Sequence, residues 1–352
     1  RGQVDYYFGI NGDTIRTKVD RNIREIVDIS KSEQDSLTTI SDSTIAEWEA
    51  KLQELERKST NCNIIFAIDA TKSMGPYIRA VSKAVGEIVD QNRNRGNSLK
   101  FGLIVYRDYV DDNNRYGSYK LEQDLTPEEH LIKAAINEVI AFSDPGDKDK
   151  AEAQYNGLIK GLSDMNIDPE ESNILVLIGD CGNHADDKEN NISDVLNIMK
   201  EKNFNLITYQ VATGREATYR KFNQDARTYI TKSADYILEG KGSSLTYEFD
   251  EDFSTKTCKL KWFDGDRPEI LEIMFGKFTY ATKNNPLPAS DFHTLVASTL
   301  DEYFETLSNN IIVLRKKIPG GEGNGGNEII SSRPSEGTIL KILGWFGCTR
   351  AQ

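Results

Sequence analysis

The sequence predicts an α/β protein with a doubly wound, mostly parallel sheet of about six strands. Three observations indicate this class. From residue 62 onward, apolar runs of strand length alternate with amphipathic segments of helical spacing, a pattern typical of a parallel sheet covered by helices. Two of the runs, residues 63–68 and 173–178, are almost entirely apolar, as expected of strands buried on both faces. An aspartate follows each of these two runs, at the edge of the sheet where ligands bind in open α/β folds.

Residues 1–60 are predicted to form an amino-terminal extension. A short β-hairpin is expected over residues 4–17, with a tight turn at residues 11–13. Two amphipathic helices follow, over residues 19–34 and 41–58. The apolar stripe of the second helix is expected to dock on the main domain, because a confident coiled coil would need about three heptads.

The α/β domain itself is predicted to span residues 61–245. Its strands are expected at residues 63–68, 99–106, 119–125, 173–178, 205–211 and 236–238. Its helices are expected at residues 77–92, 127–142, 152–165, 192–202 and 217–231. The short strand at residues 119–125 is expected at an edge of the sheet.

The charge of the chain restricts the class of partner. Its 352 residues include 43 Lys and Arg and 56 Asp and Glu, which gives a formal net charge of −13 at pH 7. This balance argues against duplex nucleic acid and anionic membranes as partners, because both bind basic surfaces, and it is compatible with divalent cations. No window approaches the roughly 20 apolar residues of a membrane-spanning helix. Because the chain begins with Arg1, we expect an upstream piece, whether a signal peptide, a membrane anchor or another domain.

The four cysteines form neither a zinc-binding nor a disulfide-rich pattern. Cys62 and Cys181 adjoin the two strands that flank the predicted site, and we expect both to be buried thiols. Cys258 and Cys348 could pair, and their spacing does not decide the question.

Hard oxygen donors follow the first buried strand. Asp69, Thr71 and Ser73 occupy alternate positions where the strand ends and a loop begins. Asp180 follows another central strand, so its carboxylate should lie on the same rim of the sheet. Carboxylate and hydroxyl oxygens suit Mg²⁺, Mn²⁺ or Ca²⁺ rather than a soft metal. The alternative is structural: the hydroxyls, and Asp180 for the helix after it, would cap helices.

Three separated motifs become informative when they are taken together. They are D-A-T-K-S-M at residues 69–74, L-K-F-G-L-I-V-Y-R-D at residues 99–108 and N-I-L-V-L-I-G-D at residues 173–180. In this order and on these elements, they resemble a von Willebrand factor A (VWA) domain over about residues 60–245. The resemblance implies a VWA/Rossmann-like fold and a metal-ion-dependent adhesion site (MIDAS). In that site a D-x-S-x-S loop, a later Thr and a later Asp surround a divalent cation.

Carried over by position, the resemblance implies a set of metal ligands in this chain. Asp69, Thr71 and Ser73 match the first loop, with Thr71 in place of the usual Ser, and Asp180 matches the late Asp. The second loop departs from the pattern, because Glu152 stands at or near the position of the Thr. A carboxylate there would change how tightly the ion is held and would reduce its tendency to accept an acidic ligand. Three aspartates lie just upstream: Asp144, Asp147 and Asp149.

Two further motifs narrow the resemblance within the family. Y-R-D at residues 106–108 and D-L-T at residues 124–126 are similar to bacterial VWA domains associated with serine/threonine kinases and type VI secretion. The chain itself has neither a Gly-rich phosphate loop nor an H-R-D catalytic loop, so it contains no kinase.

Other polar residues offer possible catalytic or metal-binding groups. Cys181 and His184 could form a nucleophile and a base, but no recognisable motif supplies a third group to orient them. His130, His184 and His293 are too dispersed for a zinc site. Residues 108–112 could hold a second cation, but a solvated loop is the preferred interpretation.

The segment after the α/β domain has a different character. Residues 246–318 predict a carboxy-terminal α+β extension that includes a long helix over residues 291–314. Residues 319–337 predict a flexible Gly-rich linker. Residues 338–352 form a short apolar tail, which we expect to pack on the body of the protein or in the groove of a partner.

These features predict a non-enzymatic protein that binds another protein. The binding would use a divalent cation on the rim of the sheet, with Mg²⁺ preferred and Mn²⁺ or Ca²⁺ as alternatives, or the apolar tail. The protein would be extracytoplasmic (periplasmic or at the cell surface) or secretion-associated. One alternative is an intracellular or secretion-system scaffold whose metal site is degenerate or structural. Another is a metal-dependent hydrolase, for which carboxylates are present but a general base in a motif is not.

Overall fold

The structure is a computed structural model of the whole chain. It describes residues 42–92, 97–110, 116–145, 149–238, 245–251, 255–262 and 271–318. The chain divides into two compact units, residues 1–50 and 51–352. The predicted hairpin and first helix of the amino-terminal extension, the Gly-rich linker and the apolar tail lie outside the described residues.

Helices and strands alternate through the second unit. The helices are α1 Asp42–Thr60, α2 Gly75–Asn92, α3 Glu129–Glu138, α4 Gln154–Asp164, α5 Ile192–Lys202, α6 Ala217–Leu238 and α7 Phe292–Lys317. The strands are β1 Asn61–Asp69, β2 Ser98–Tyr106, β3 Tyr119–Thr126, β4 Ser172–Gly179, β5 Phe204–Gln210, β6 Leu245–Glu251, β7 Thr255–Trp262 and β8 Leu271–Tyr280. Helix α1 crosses the division between the units, and its residues up to Ala50 belong to the first unit.

The strands form one mostly parallel sheet, which confirms the predicted α/β class. The order is β3-β2-β1-β4-β5-β8-β7-β6. Strands β2, β1, β4, β5 and β8 run parallel, whereas β3 at one side and β7 and β6 at the other are antiparallel to their neighbours. The strands from β3 to β8 form the predicted six-stranded core of the sheet. β7 and β6, which fall in the segment predicted as a carboxy-terminal extension, extend the same sheet to eight strands.

One predicted strand is wrong. Residues 236–238 belong to helix α6, and the position of the sixth strand is taken by β8, which pairs with β5. The helix continues through this apolar run because no Gly or Pro interrupts residues 217–238, and the first glycines after it are Gly240 and Gly242.

Alternate residues of the central strands face two helical layers. Helices α4, α5 and α6 lie side by side over one face of the sheet. There Ile65 and Ala67 of β1, Leu175 of β4 and Phe222 of α6 share one buried core. Helices α2, α3 and α7 cover the other face. Because both faces are covered, the central strands are apolar almost throughout, as the sequence indicated.

The topology places a crevice at the ends of β1 and β4. From β1 the chain proceeds outward through β2 and β3, whereas β4 and β5 lie on the opposite side of β1. In a doubly wound sheet, such a reversal of strand order leaves room for a ligand beyond the carboxyl ends of the two strands. No helix among the described residues combines the length and the apolar character that a membrane crossing requires.

Candidate functional site

Asp69 stands at the floor of the crevice. It is the last residue of β1 and is fully buried. Its Oδ1 atom accepts hydrogen bonds from the backbone N of Thr71 at 2.8 Å and from Thr71 Oγ1 at 2.7 Å. No residue that the structure describes forms a hydrogen bond with Asp69 Oδ2, which is buried as well. A buried carboxylate oxygen without a donor is costly, and a cation would satisfy it.

The other predicted ligands from β1 and β4 lie beside Asp69. Thr71 Oγ1 is 3.4 Å from Ser73 Oγ, and Ser73 Oγ is 3.4 Å from Asp180 Oδ2. Asp180 is largely buried, whereas Ser73 is exposed. The two 3.4 Å contacts are longer than the usual hydroxyl hydrogen bond of about 2.7–2.8 Å, so Ser73 is only loosely held by its neighbours. The structure thus brings together two carboxylates, from Asp69 and Asp180, and the hydroxyls of Thr71 and Ser73.

The electrostatics of Asp69 and Asp180 favour a cation between them. Burial, and after it the charge of Asp180, raises the pKa of Asp69, although the hydrogen bonds from Thr71 act in the opposite direction. Two carboxylates in a buried site repel each other, and either a proton or a cation relieves the repulsion. The carboxylate and hydroxyl donors are those that Mg²⁺, Mn²⁺ and Ca²⁺ prefer, so the residues fit the expected ion.

The structural alternative, helix capping, does not explain these residues. Thr71 precedes a short 3₁₀ helix over Lys72–Met74, but its side chain makes no capping hydrogen bond with any described residue of that helix. The helix after Asp180 begins only at Ile192 and is capped by Asn191, whose side chain accepts a hydrogen bond from Asp194 N.

Glu152 lies on the same rim, in the loop before α4. It is 4% exposed, and its backbone N donates to Gly182 O at 3.1 Å, in the loop that also carries Asp180. Burial raises the pKa of Tyr106, and the negative charges of Asp69, Glu152 and Asp180 raise it further. Glu152 nevertheless does not join the two aspartates in a group whose ligand atoms all lie within 4.8 Å of one another among the described residues.

A second group of possible ligands lies on the rim. One ligand atom from each of Asp108, Asp149 and His184 lies within 4.8 Å of the others. His184 Nε2 is 2.5 Å from Asp108 Oδ1, and this hydrogen bond is the main reason that the pKa of His184 is raised. The sequence indicated residues 108–112, which include Asp108, as a possible site for a second cation, but no spacing signal linked Asp108 to His184. Asp108 also follows the end of β2, on the rim of the sheet where ligands are expected.

Two glutamines and a tyrosine complete the surroundings of the site, and sequence reasoning missed all three. Gln154, fully buried at the start of α4, donates through Nε2 to the Tyr106 hydroxyl at 3.5 Å. Gln210, at the end of β5, donates through Nε2 to the backbone O of Asp180 at 3.1 Å. A Cβ atom on Gly179 would lie 2.6 Å from the Tyr106 hydroxyl, so only glycine fits between this ring and the site.

The two predicted buried thiols are confirmed. Cys62 and Cys181 are free and buried. Burial raises the pKa of Cys62 to about 12, and it also raises the pKa of Cys181, next to Asp180. Both thiols are therefore neutral near pH 7, and Cys181 lacks the thiolate that a nucleophile requires.

Comparison with known proteins agrees with this fold. The family model described as the TssR protein VWA domain matches residues 13–250, more than half of the chain. The chain belongs to this family. The resemblance to VWA domains is thereby confirmed. VWA domains often bind a divalent metal, and the described part of this TssR-family chain contains acidic and histidine side chains that could hold one. No curated protein matches the chain.

Proposed function

We propose that this TssR-family VWA protein is a non-enzymatic scaffold of a secretion system that binds another protein through a divalent cation, with Mg²⁺ preferred. One observation carries the proposal. Asp69 Oδ2 is buried without a hydrogen-bond donor among the described residues, beside a second carboxylate and two hydroxyls. A folded protein rarely tolerates such an oxygen unless a ligand completes it.

Each residue of the site has a distinct part. Asp69 and Asp180 supply the negative charge, and Thr71 and Ser73 supply neutral oxygens. Asp69 Oδ1 is fixed by two hydrogen bonds from Thr71, which leaves Oδ2 as the oxygen that would face the ion. Glu152 contributes negative charge from the second loop. When bound, the ion would accept a carboxylate oxygen from the partner.

Binding is supported over hydrolysis by the state of the nearby groups. Cys181 is held as a neutral thiol by burial. His184, the base paired with it in the catalytic hypothesis, forms its hydrogen bond with Asp108 instead. Among the described residues Cys181 and His184 form no hydrogen bond with each other, so they do not make the nucleophile and base pair of the catalytic hypothesis.

The cellular setting follows from the family and from two short motifs. The chain belongs to the TssR protein VWA domain family, and its Y-R-D and D-L-T motifs are similar to VWA domains associated with type VI secretion. Within such a system a VWA domain would act as a protein-interaction module. This role requires a partner surface and no turnover.

A second candidate is a scaffold whose metal site is structural. The observation that favours it is Glu152, because a third carboxylate near the ion would lower the attraction of the ion for a partner's carboxylate. In that case the ion would stabilise the fold without taking part in recognition.

Mn²⁺ binding, followed by the loss of the free-ion signal in electron paramagnetic resonance, tests the proposed site. We expect the wild-type protein to bind Mn²⁺, and Mg²⁺ to release it. Asp69→Asn and Asp180→Asn should each weaken binding by at least about tenfold, because each removes a charge at the ion. Glu152→Gln should weaken it less.

The matched control is Asp186→Asn, an exposed carboxylate in the same loop as Asp180. It makes the same charge change and should leave Mn²⁺ affinity within about twofold of the wild type. His184→Ala separates the two groups of ligands. If His184→Ala removes Mn²⁺ binding and Asp69→Asn does not, the ion lies at Asp108, Asp149 and His184, and the proposed site is wrong.

A further inference from the structure

A pocket of about 490 Å³ lies beside the site, between the end of β5, the first turns of α6 and the end of β8. Its walls include Gln210, Tyr219, Arg220, Asn223 and Lys283. The volume falls within the range of protein pockets that hold specific ligands.

The charge of this pocket is opposite to that of the chain. None of the eleven described residues that line it is Asp or Glu, whereas Arg220 and Lys283 are cationic. The whole chain has 56 acidic and 43 basic residues. A local cationic surface on a protein of net charge −13 indicates an anionic ligand, because complementary charge is what selects partners at such surfaces.

The two cations are available to a ligand. Neither Arg220 nor Lys283 forms an ion pair with another residue that the structure describes, and both are exposed. Arg220 Nη1 donates one hydrogen bond to the backbone O of Arg215 at 2.8 Å, which leaves its other nitrogens for a ligand. The neighbouring lysines differ: Lys150 pairs with Glu216 at 3.3 Å, and Lys221 pairs with Asp225 at 2.8 Å. The positive end of the dipole of α6 adds to the field at the same wall of the pocket.

Gln210 joins this pocket to the proposed metal site. It is 4% exposed, and its Nε2 donates both to Asp180 O at 3.1 Å and to Tyr219 O at 2.7 Å. The amide nitrogen of Gln210 therefore supports both the loop of the metal ligand and the wall of the pocket. The pocket and the loop of the metal ligand are therefore joined through one residue.

We propose that the pocket binds acidic side chains of the partner protein, next to the carboxylate that the ion accepts. This inference rests on the proposed function for its partner, and the pocket can be tested separately from the ion. The Arg220 guanidinium suits a carboxylate, with which it can form two parallel hydrogen bonds, and Lys283 adds a point charge. The partner segment thus carries several Asp or Glu residues close together.

Fluorescence anisotropy of a labelled hexaglutamate peptide, with the full chain, tests the pocket. We expect the peptide to bind and its hexaglutamine counterpart not to bind. The double variant Arg220→Gln/Lys283→Gln should weaken binding at least about tenfold, because both charge-assisted contacts are lost. The control Lys83→Gln/Lys316→Gln removes two exposed positive charges elsewhere and should change affinity less than about twofold. Equal losses in the two double variants, or no binding by the wild type, would overturn the proposal.

Two further arms separate the pocket from the ion and from other anions. Peptide binding that persists in a chelator and in Asp69→Asn, but falls in the pocket variant, supports the pocket whatever the fate of the metal site. Binding that needs Mg²⁺ and survives the pocket variant supports the metal site and overturns the pocket. Inorganic phosphate that displaces the peptide more effectively than free glutamate would overturn the acidic-peptide assignment.

Discussion

At the scale of single residues, Asp69 concentrates the electrostatic cost of the site. It is fully buried, it faces a second carboxylate, and one of its oxygens has no hydrogen-bond donor among the described residues. Such a residue lowers the stability of the metal-free fold whenever it is ionised. The fold tolerates this cost, which is common where function rather than stability has selected a residue.

The metal-free protein should therefore lose stability as the pH rises. The pKa of Asp69 in the folded state is raised above its ordinary value of 3.8. The stability that protonation of Asp69 provides is fully present below pH 3.8 and is lost as the pH rises through the pKa of the folded state. Asp69→Asn keeps an oxygen for the hydrogen bonds from Thr71 and cannot ionise. In chelator, we expect the free energy of unfolding of Asp69→Asn to rise relative to that of the wild type by at least about 1.4 kcal/mol as the pH increases from about 5 to about 9.

Urea unfolding of both proteins at several pH values measures this difference. Saturating Mg²⁺ should reduce the pH dependence of the wild type, because the ion replaces the proton. If the free energy of unfolding of the two proteins changes with pH in the same way in chelator, ionisation of Asp69 does not destabilise the metal-free fold.

The sequence predicted the main site residues because they are tied to strand ends. Asp69 and Asp180 follow central parallel strands, and such ends meet on one rim. The contacts of Gln210, and the contact between Asp108 and His184, could not be predicted in this way. Their partners come from loops far apart in sequence, and the contacts depend on how those loops fold back over the rim.

At the scale of elements, close packing of α4 on β2 positions the second loop of the site. A Cβ atom on Gly157 of α4 would lie 2.5 Å from Cβ of Tyr106, the last residue of β2. A Cβ atom on Gly161, one turn later, would lie 2.6 Å from Cδ1 of Ile104. The two glycines let the helix approach the sheet, and α4 directly follows the loop that contains Glu152.

Gly157→Ala should therefore destabilise the protein by about 1–3 kcal/mol, as expected for overpacking in a close-packed core. The midpoint of urea unfolding measures the change. The control is Gly86→Ala in α2, where the added methyl group would meet the flexible end of Lys133 at 3.0 Å and Oε1 of Glu129 at 3.7 Å. There the higher helix propensity of alanine should leave stability unchanged or raise it by up to about 1 kcal/mol. Equal effects of the two substitutions would contradict the packing argument.

Element types were largely predictable, because periodicity and turn residues are local signals. Helix α5 occupies the predicted residues 192–202, and strand β5 is displaced by only one residue from its prediction. The exception, residues 236–238, shows the limit: three apolar residues fit a short strand and the end of a helix equally well.

At the scale of the whole molecule, the sheet extends beyond the region that the family model matches. That match ends at residue 250, before β8 and α7. Strand β8 nevertheless pairs with β5, and its Phe278 is fully buried in the core shared by α4, α5 and α6. Helix α7 packs against α2, with Val296, Leu300 and Phe304 buried.

A fragment that ends at residue 250 should consequently fail to unfold cooperatively. It would expose the edge of β5 and the apolar face of α2, which together need β8 and α7. A fragment that ends at residue 318 retains every described element and serves as the control. Thermal unfolding followed by circular dichroism compares the two. A cooperative transition in the shorter fragment would show that the matched region is sufficient for the fold.

The order of the outer strands β8, β7 and β6 in the sheet was not predictable from the sequence. Strand β8 comes last along the chain, yet it lies next to β5, and β6 lies at the edge. Such pairings depend on contacts between distant residues and leave no local pattern. The prediction therefore identified the core of the sheet and treated the segment that completes it as an extension.

The central claim is that a divalent cation binds at Asp69 and Asp180 in the folded protein. Thermal unfolding of metal-stripped protein, titrated with Mg²⁺, Mn²⁺ and Ca²⁺, tests it most directly. A ligand that binds only the folded state stabilises it by roughly 2.7 kcal/mol at about a hundred times its dissociation constant. We expect a saturable rise in Tm for the wild type and for Asp186→Asn, with no rise for Asp69→Asn. An unchanged Tm in the wild type, or an equal rise in Asp69→Asn, would contradict the claim.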